Sequence, residues 1–96
     1  MKIVRIRDDC FIDFDKILRI NIELGFDEDE YVISFETEKR YTYIGGFKKF
    51  ENAEKYIIKL LQEVDEYPNY RDARNLLKEV KRNDKKKEES PVGKIE

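Results

Sequence analysis

Residues 52–66 read Asn-Ala-Glu-Lys-Tyr-Ile-Ile-Lys-Leu-Leu-Gln-Glu-Val-Asp-Glu. Counted from Ala53, the apolar residues Tyr56, Ile57, Ile58, Leu60, Leu61 and Val64 follow at offsets of 3, 4, 5, 7, 8 and 11. At about 100° per residue, Ala53, Ile57, Leu60, Leu61 and Val64 share one helical face, with Tyr56 and Ile58 on its margins. A stripe that wide must be covered. What precedes it reads as strands, so the helix is expected to pack on a sheet.

Upstream, Lys2–Arg7 alternates Val4 and Ile6 with Arg5 and Arg7, as a half-buried strand does. Asp8-Asp9 forms a turn into a second strand, Cys10–Phe14, and Asp15-Lys16 breaks it. Ile17–Leu24 is the cleanest alternation: Leu18, Ile20, Ile22 and Leu24 point one way, and Arg19, Asn21 and Glu23 the other. Past Gly25-Phe26 and the charged loop Asp27–Glu30 come two further strands, Tyr31–Glu36 and Arg40–Phe47. On the last, Tyr41, Tyr43 and Phe47 are expected on one face, with a bulge at Gly45-Gly46. Short connections favour an antiparallel meander. The predicted fold is therefore α+β: an antiparallel β-meander sheet of four or five strands packed on one helix, with a second, C-terminal amphipathic helix.

That second helix is expected over Tyr70–Arg82, continuing toward Lys87. Asn52 is read as the N-cap of the first helix. Asn69, with Asp72 three residues on, is read as the start of the second, after Pro68 ends the first. The chain divides into a sheet-plus-helix body (1–66), an appended basic helix (67–87) and a frayed tail (88–96), one domain in all.

Charge divides in the same way. Residues 1–66 carry 11 Lys/Arg against 16 Asp/Glu, a net −5, whereas residues 67–96 carry 9 against 6, a net +3. On the second helix, Tyr70, Ala73, Leu76, Leu77 and Val80 share an apolar face. Arg71, Arg74, Lys78, Lys81, Arg82 and Lys85 fall within an arc of about 100° beside it. This basic flank is the candidate partner-binding surface, and Tyr70, Leu76, Leu77 and Val80 are the candidate face for self-association. Docking of the helix onto its own acidic body is the structural alternative.

The composition argues against catalysis. There is no His and one Cys, so acid–base and nucleophilic mechanisms lack their usual residues and zinc lacks a ligand set. Cys10 reads as a small buried hydrophobe. The carboxylates Asp8, Asp9, Asp13 and Asp15, and Asp27–Glu30, lack a calcium-loop pattern and read as solvated loops. Gly45-Gly46 lacks the spacing of a phosphate-binding loop. Phe35, Tyr41, Tyr43 and Phe47 are expected to fill the core, or, on an open face, to stack unpaired bases. No cofactor, metal or small-molecule substrate is expected. No apolar run is long enough for a membrane span, and a cytoplasmic protein is expected.

The order of short strands, meander and a helix opened by Asn52-Ala53-Glu54 resembles small proteins of bacterial mobile elements and phages. The resemblance implies a regulator or inhibitor and assigns no site. The function expected is a non-catalytic binding or regulatory module acting through protein–protein contacts, self-association included. The alternative is nucleic-acid binding through the basic flank of the C-terminal helix.

Overall fold

The computed structural model describes residues 2–25, 29–67 and 69–95, with side chains described as far as Asp84. In chain order the elements are β1 (Ile3–Arg7), β2 (Cys10–Asp13), a 3-10 turn (Phe14–Lys16), β3 (Arg19–Leu24), β4 (Tyr31–Glu36), β5 (Tyr41–Phe47), α1 (Phe50–Glu66), β6 (Tyr70–Asp72) and α2 (Arg74–Ile95). The class is α+β. The single meander of four or five strands is corrected to two three-stranded sheets, ordered β2-β1-β6 and β3-β4-β5.

The split has a local and a distant cause. Locally, the Asp13 carboxylate accepts the Asp15 N–H at 3.0 Å and caps the 3-10 turn, so the chain leaves the β1–β2 hairpin before β3 begins. At a distance, Tyr70–Asp72 pairs in parallel with β1, Ile3 opposite Tyr70 and Arg5 opposite Asp72. Hydrogen bonds from Ile3 N–H to Asn69 C=O (3.0 Å) and from Ala73 N–H to Arg5 C=O (2.9 Å) extend that pairing. These residues were expected to open the second helix. Instead the helix begins at Arg74, whose N–H donates to Asp72 Oδ1 at 3.2 Å. It runs on through Ile95, where a tail was expected from residue 88. The Lys- and Glu-rich run 85–89 favours that continuation, being made mostly of good helix formers. The expected Asp27–Glu30 loop lies largely outside the described residues, as does the expected stop at Pro68.

The bulge at Gly45-Gly46 is present. Opposite β4, the register steps from Ile33–Ile44 to Tyr31–Phe47, and Gly46 takes φ +91°, a conformation that suits glycine. The extra residue turns Phe47 to the same side as Ile44, and both are buried. Tyr41 and Tyr43 stay on the opposite face, exposed and stacked with ring centroids 6.1 Å apart. The expected shared face of Tyr41, Tyr43 and Phe47 is thereby divided.

One core holds both sheets and both helices: Val4, Ile6 and Ile12 from the first sheet, Ile33, Phe35, Ile44 and Phe47 from the second, Ala53, Tyr56, Leu60 and Val64 from α1, and Leu76 and Val80 from α2. Burying Leu76 and Val80 contributes about 1.5–3 kcal/mol each. That exceeds the 0–1 kcal/mol or so of a typical exposed ion pair, so apolar contact holds α2 to the body.

A buried polar contact fixes where α2 sits. Asp84 is 2% exposed. Its Oδ1 accepts the Asn52 side-chain amide at 2.6 Å, and its Oδ2 accepts the Lys48 backbone N–H at 2.7 Å. Asn52 is therefore not the N-cap of α1. That position falls to Lys49, which offers no side-chain cap bond. A carboxylate from α2 stands at the positive end of α1 instead. Docking α2 on the Asn52–Tyr56–Glu63 flank also rotates the buried face of α1. Tyr56 is sealed, whereas Leu61 is left 44% exposed. Asp84→Ala should strand both donors and lower the unfolding free energy by about 2–3 kcal/mol. Asp84→Asn should cost less, and urea denaturation monitored by far-UV circular dichroism measures both.

Candidate functional site

The basic flank of α2 is not a free array of charges. Arg71 lies on β6, where its Nε donates to Glu63 Oε1 at 2.8 Å and its guanidinium sits 4.3 Å from the Tyr67 ring centre. Arg74 is held by both Asp72 oxygens (2.9 and 2.7 Å) and donates through Nη1 to Asp8 Oδ1 at 2.9 Å. Both arginines thus tie β6 and the start of α2 to the body. Lys78 and Arg82 are exposed, and Lys81 lies 5.6 Å from the centre of the buried Phe47 ring. Lys78, Lys81 and Arg82 join Lys48 and Gly46 around a shallow depression of about 440 Å³ that also includes Asp84. Lys85 lies outside the residues whose side chains are described.

The face expected to self-associate is mostly used within the chain. Val80 (1% exposed) and Leu76 (7%) are in the core, Leu77 packs partly against it, and Tyr70 is exposed on β6. Two of the four residues therefore have no open surface to offer.

A larger groove, about 690 Å³, lies between β2 and the β4–β5 turn. Asp9, Asp13, Asp15 and Glu38 line it beside Lys16, Lys39, Arg40 and the partly buried Cys10. Among the described residues, no cluster of three or more Asp, Glu, Cys or His could hold a metal ion, and no helix is long and apolar enough to cross a membrane. The buried Tyr56 hydroxyl is pushed up from the ordinary tyrosine range by desolvation and stays neutral.

The surface that the sequence reading missed is the β3 margin. On β4 and β5, Ile33, Phe35, Ile44 and Phe47 are buried in the core that α1 shares. The same face of β3 is less covered. Ile20 and Ile22 are half-buried, while Leu24 on the same face is 63% exposed and Leu18, just before the strand, is 65% exposed. On α1, Asn52 and Glu63 face α2 and β6. The helical wheel turns Phe50, Ile57 and Leu61 the opposite way, toward β3, and Phe50 meets the Tyr31 ring edge-on at 5.8 Å. With Ile58 beyond them, these residues and the three aliphatics of β3, Ile20, Ile22 and Leu24, form one apolar border. Alternation in Leu18–Leu24 was legible in the sequence, but it implied burial of all four aliphatics. That β3 is the outermost strand of its sheet was not legible.

No family model, curated protein or solved structure matches this chain.

The Arg74 cluster adds a small acid-sensitive contribution to stability. Its hydrogen bonds hold the Asp72 carboxyl down to about 2, and the Asp8 carboxyl below its usual value. Depressed carboxylates stabilise above the ordinary Asp pKa of about 3.9, and that contribution is lost as pH falls toward 2. Arg74→Ala should therefore have a smaller loss of stability between about pH 4 and pH 2 than the wild type. Urea midpoints at the two pH values test this, and equal losses in the two proteins would contradict it.

Proposed function

We propose that the chain is a small, non-catalytic binding or regulatory module that works by contacting another protein. The observation that carries this reading is the apolar border of β3 and α1. Leu18, Leu24, Phe50, Ile58 and Leu61 are each more than 40% exposed, beside a strand whose outer edge has no partner among the described residues. An apolar border next to unpaired main-chain groups suits a protein surface able to supply both a strand and aliphatic side chains. It offers nothing to a phosphate backbone, and it is distinct from the helix face that the sequence pointed to. A regulator or inhibitor of the phage or mobile-element kind is one instance of this class.

The second reading, nucleic-acid binding, draws on the convergence of Lys48, Lys78, Lys81 and Arg82 around one depression. The two are separated by a photo-cross-linking amino acid placed at Ile58 in one variant and at Arg82 in another, expressed in cells. Protein adducts of discrete mass are expected at position 58, lost on Leu61→Lys, with no nucleic-acid adducts at position 82. Nucleic-acid adducts at 82 together with a silent 58 would overturn the proposal in favour of the second reading.

A further inference from the structure

We propose that the partner of β3 is β3 of a second copy of this chain, paired antiparallel about a two-fold axis at Asn21, so that two three-stranded sheets become one of six strands. The inference rests on the reading that this border is a protein contact surface, and it names the occupant.

The strand is complementary to itself. Residues 18–24 read Leu-Arg-Ile-Asn-Ile-Glu-Leu. Reversed about Asn21, Ile20 falls opposite Ile22 and Arg19 opposite Glu23, while Leu24 reaches Leu18, which lies outside the strand with its N–H turned back to Glu36 C=O at 2.8 Å. Within the strand each isoleucine meets an isoleucine and each charge meets its opposite, twice over by symmetry. Centring the pair on Ile20 would put Arg19 against Asn21 and Glu23 against Ile17. Centring on Ile22 would put Glu23 against Asn21 and Arg19 against Gly25. Only the axis at Asn21 matches the charges.

The main chain has the phase this arrangement needs. Gly25 N–H donates to Glu30 C=O at 3.0 Å, one step beyond the Leu24–Tyr31 pair. By alternation, Arg19, Asn21 and Glu23 turn their amides toward β4, while Ile20, Ile22 and Leu24 turn theirs to the open edge. Pairing Ile20 with Ile22 of the second copy joins two outward-facing sets. Asn21 and the Arg19–Glu23 pairs then occupy the narrow positions, where side chains approach most closely.

Between Arg19 and Leu24 the edge has no proline, no bulge and no charge on its apolar face. By contrast β5, the opposite edge strand, is bulged at Gly45-Gly46. The charged side chains can reach across. Arg19 is 66% exposed with a single 3.6 Å contact to Glu36, and Glu23 uses Oε2 for Ser34. Because opposed residues share a face, both copies of α1 lie on the same side of the joined sheet. Their Leu61 flanks then border a floor built from Ile20, Ile22 and Leu24 of each chain.

The test is sedimentation equilibrium of the full chain from about 1 to 300 µM, with two charge variants. The wild type should approach twice the chain mass. Arg19→Glu and Glu23→Arg, each alone, place like charges opposite each other twice, and should weaken association about tenfold or more. Mixed in equal amounts they restore both attractive pairs and should associate as the wild type does. Recovery in the mixture also shows that neither variant is merely misfolded. Amide exchange at Ile20 and Ile22 should slow as concentration rises. A wild type that stays monomeric throughout, a mixture no better than its components, or unprotected Ile20 and Ile22 amides in a dimer would each overturn the proposal. A monomer whose position-58 probe still captures another protein removes the two-fold pairing and keeps the wider reading. A monomer that captures nothing removes both.

Discussion

The Asp84 carboxylate is the constraint on which the arrangement of the two helices depends. Apolar contact can hold α2 against the body, but it is tolerant of sliding and rotation. Two short hydrogen bonds to one buried carboxylate are not. They fix α2 against the first turn of α1 and against the residue that leaves the Gly45-Gly46 bulge. From that follow the tilt of the α1 buried face toward Tyr56, the burial of Leu76 and Val80, and the half-covered state of β3 on the far side. The surface available to a partner is thus set by a polar contact across the molecule from it.

The contact also explains why charge alone was a poor guide to function. An acidic body and a basic C-terminal segment suggested a basic face waiting for a ligand. In the structure much of that difference in charge is used internally. Arg71 closes on Glu63 and Tyr67, Arg74 on Asp72 and Asp8, and Asp84 faces the positive end of α1. Surface charge reports binding only after the pairs that hold the chain together have been set aside.

The parts of the fold legible in the sequence are those with a local cause. Strict alternation gave β3 and β4, a glycine pair gave the bulge, and helical spacing gave α1. The parts that were not legible depend on residues far apart in sequence. Tyr70–Asp72 is a strand only because β1 has an open edge for it; its own sequence reads equally well as the start of a helix. The lone Asn52 looks like a cap until Asp84 arrives from 32 positions away. The β3 border was hidden for the same reason. Alternation tells which residues share a face, whereas coverage of that face depends on where a helix from elsewhere comes to rest.

The parallel pairing of β1 with β6 has a consequence for biosynthesis. During translation β1 cannot complete its sheet until Tyr70–Asp72 has left the exit tunnel, since those residues supply its second neighbour. The β3–β4–β5 meander is built from nearby segments and can form earlier. Until then the β1–β2 hairpin remains a two-stranded piece with one edge of β1 unpaired, a form that is only marginally stable in water. The short strand after α1 does for β1 what no segment between them does, so a polypeptide stalled before it would expose its hairpin to chaperones and proteases.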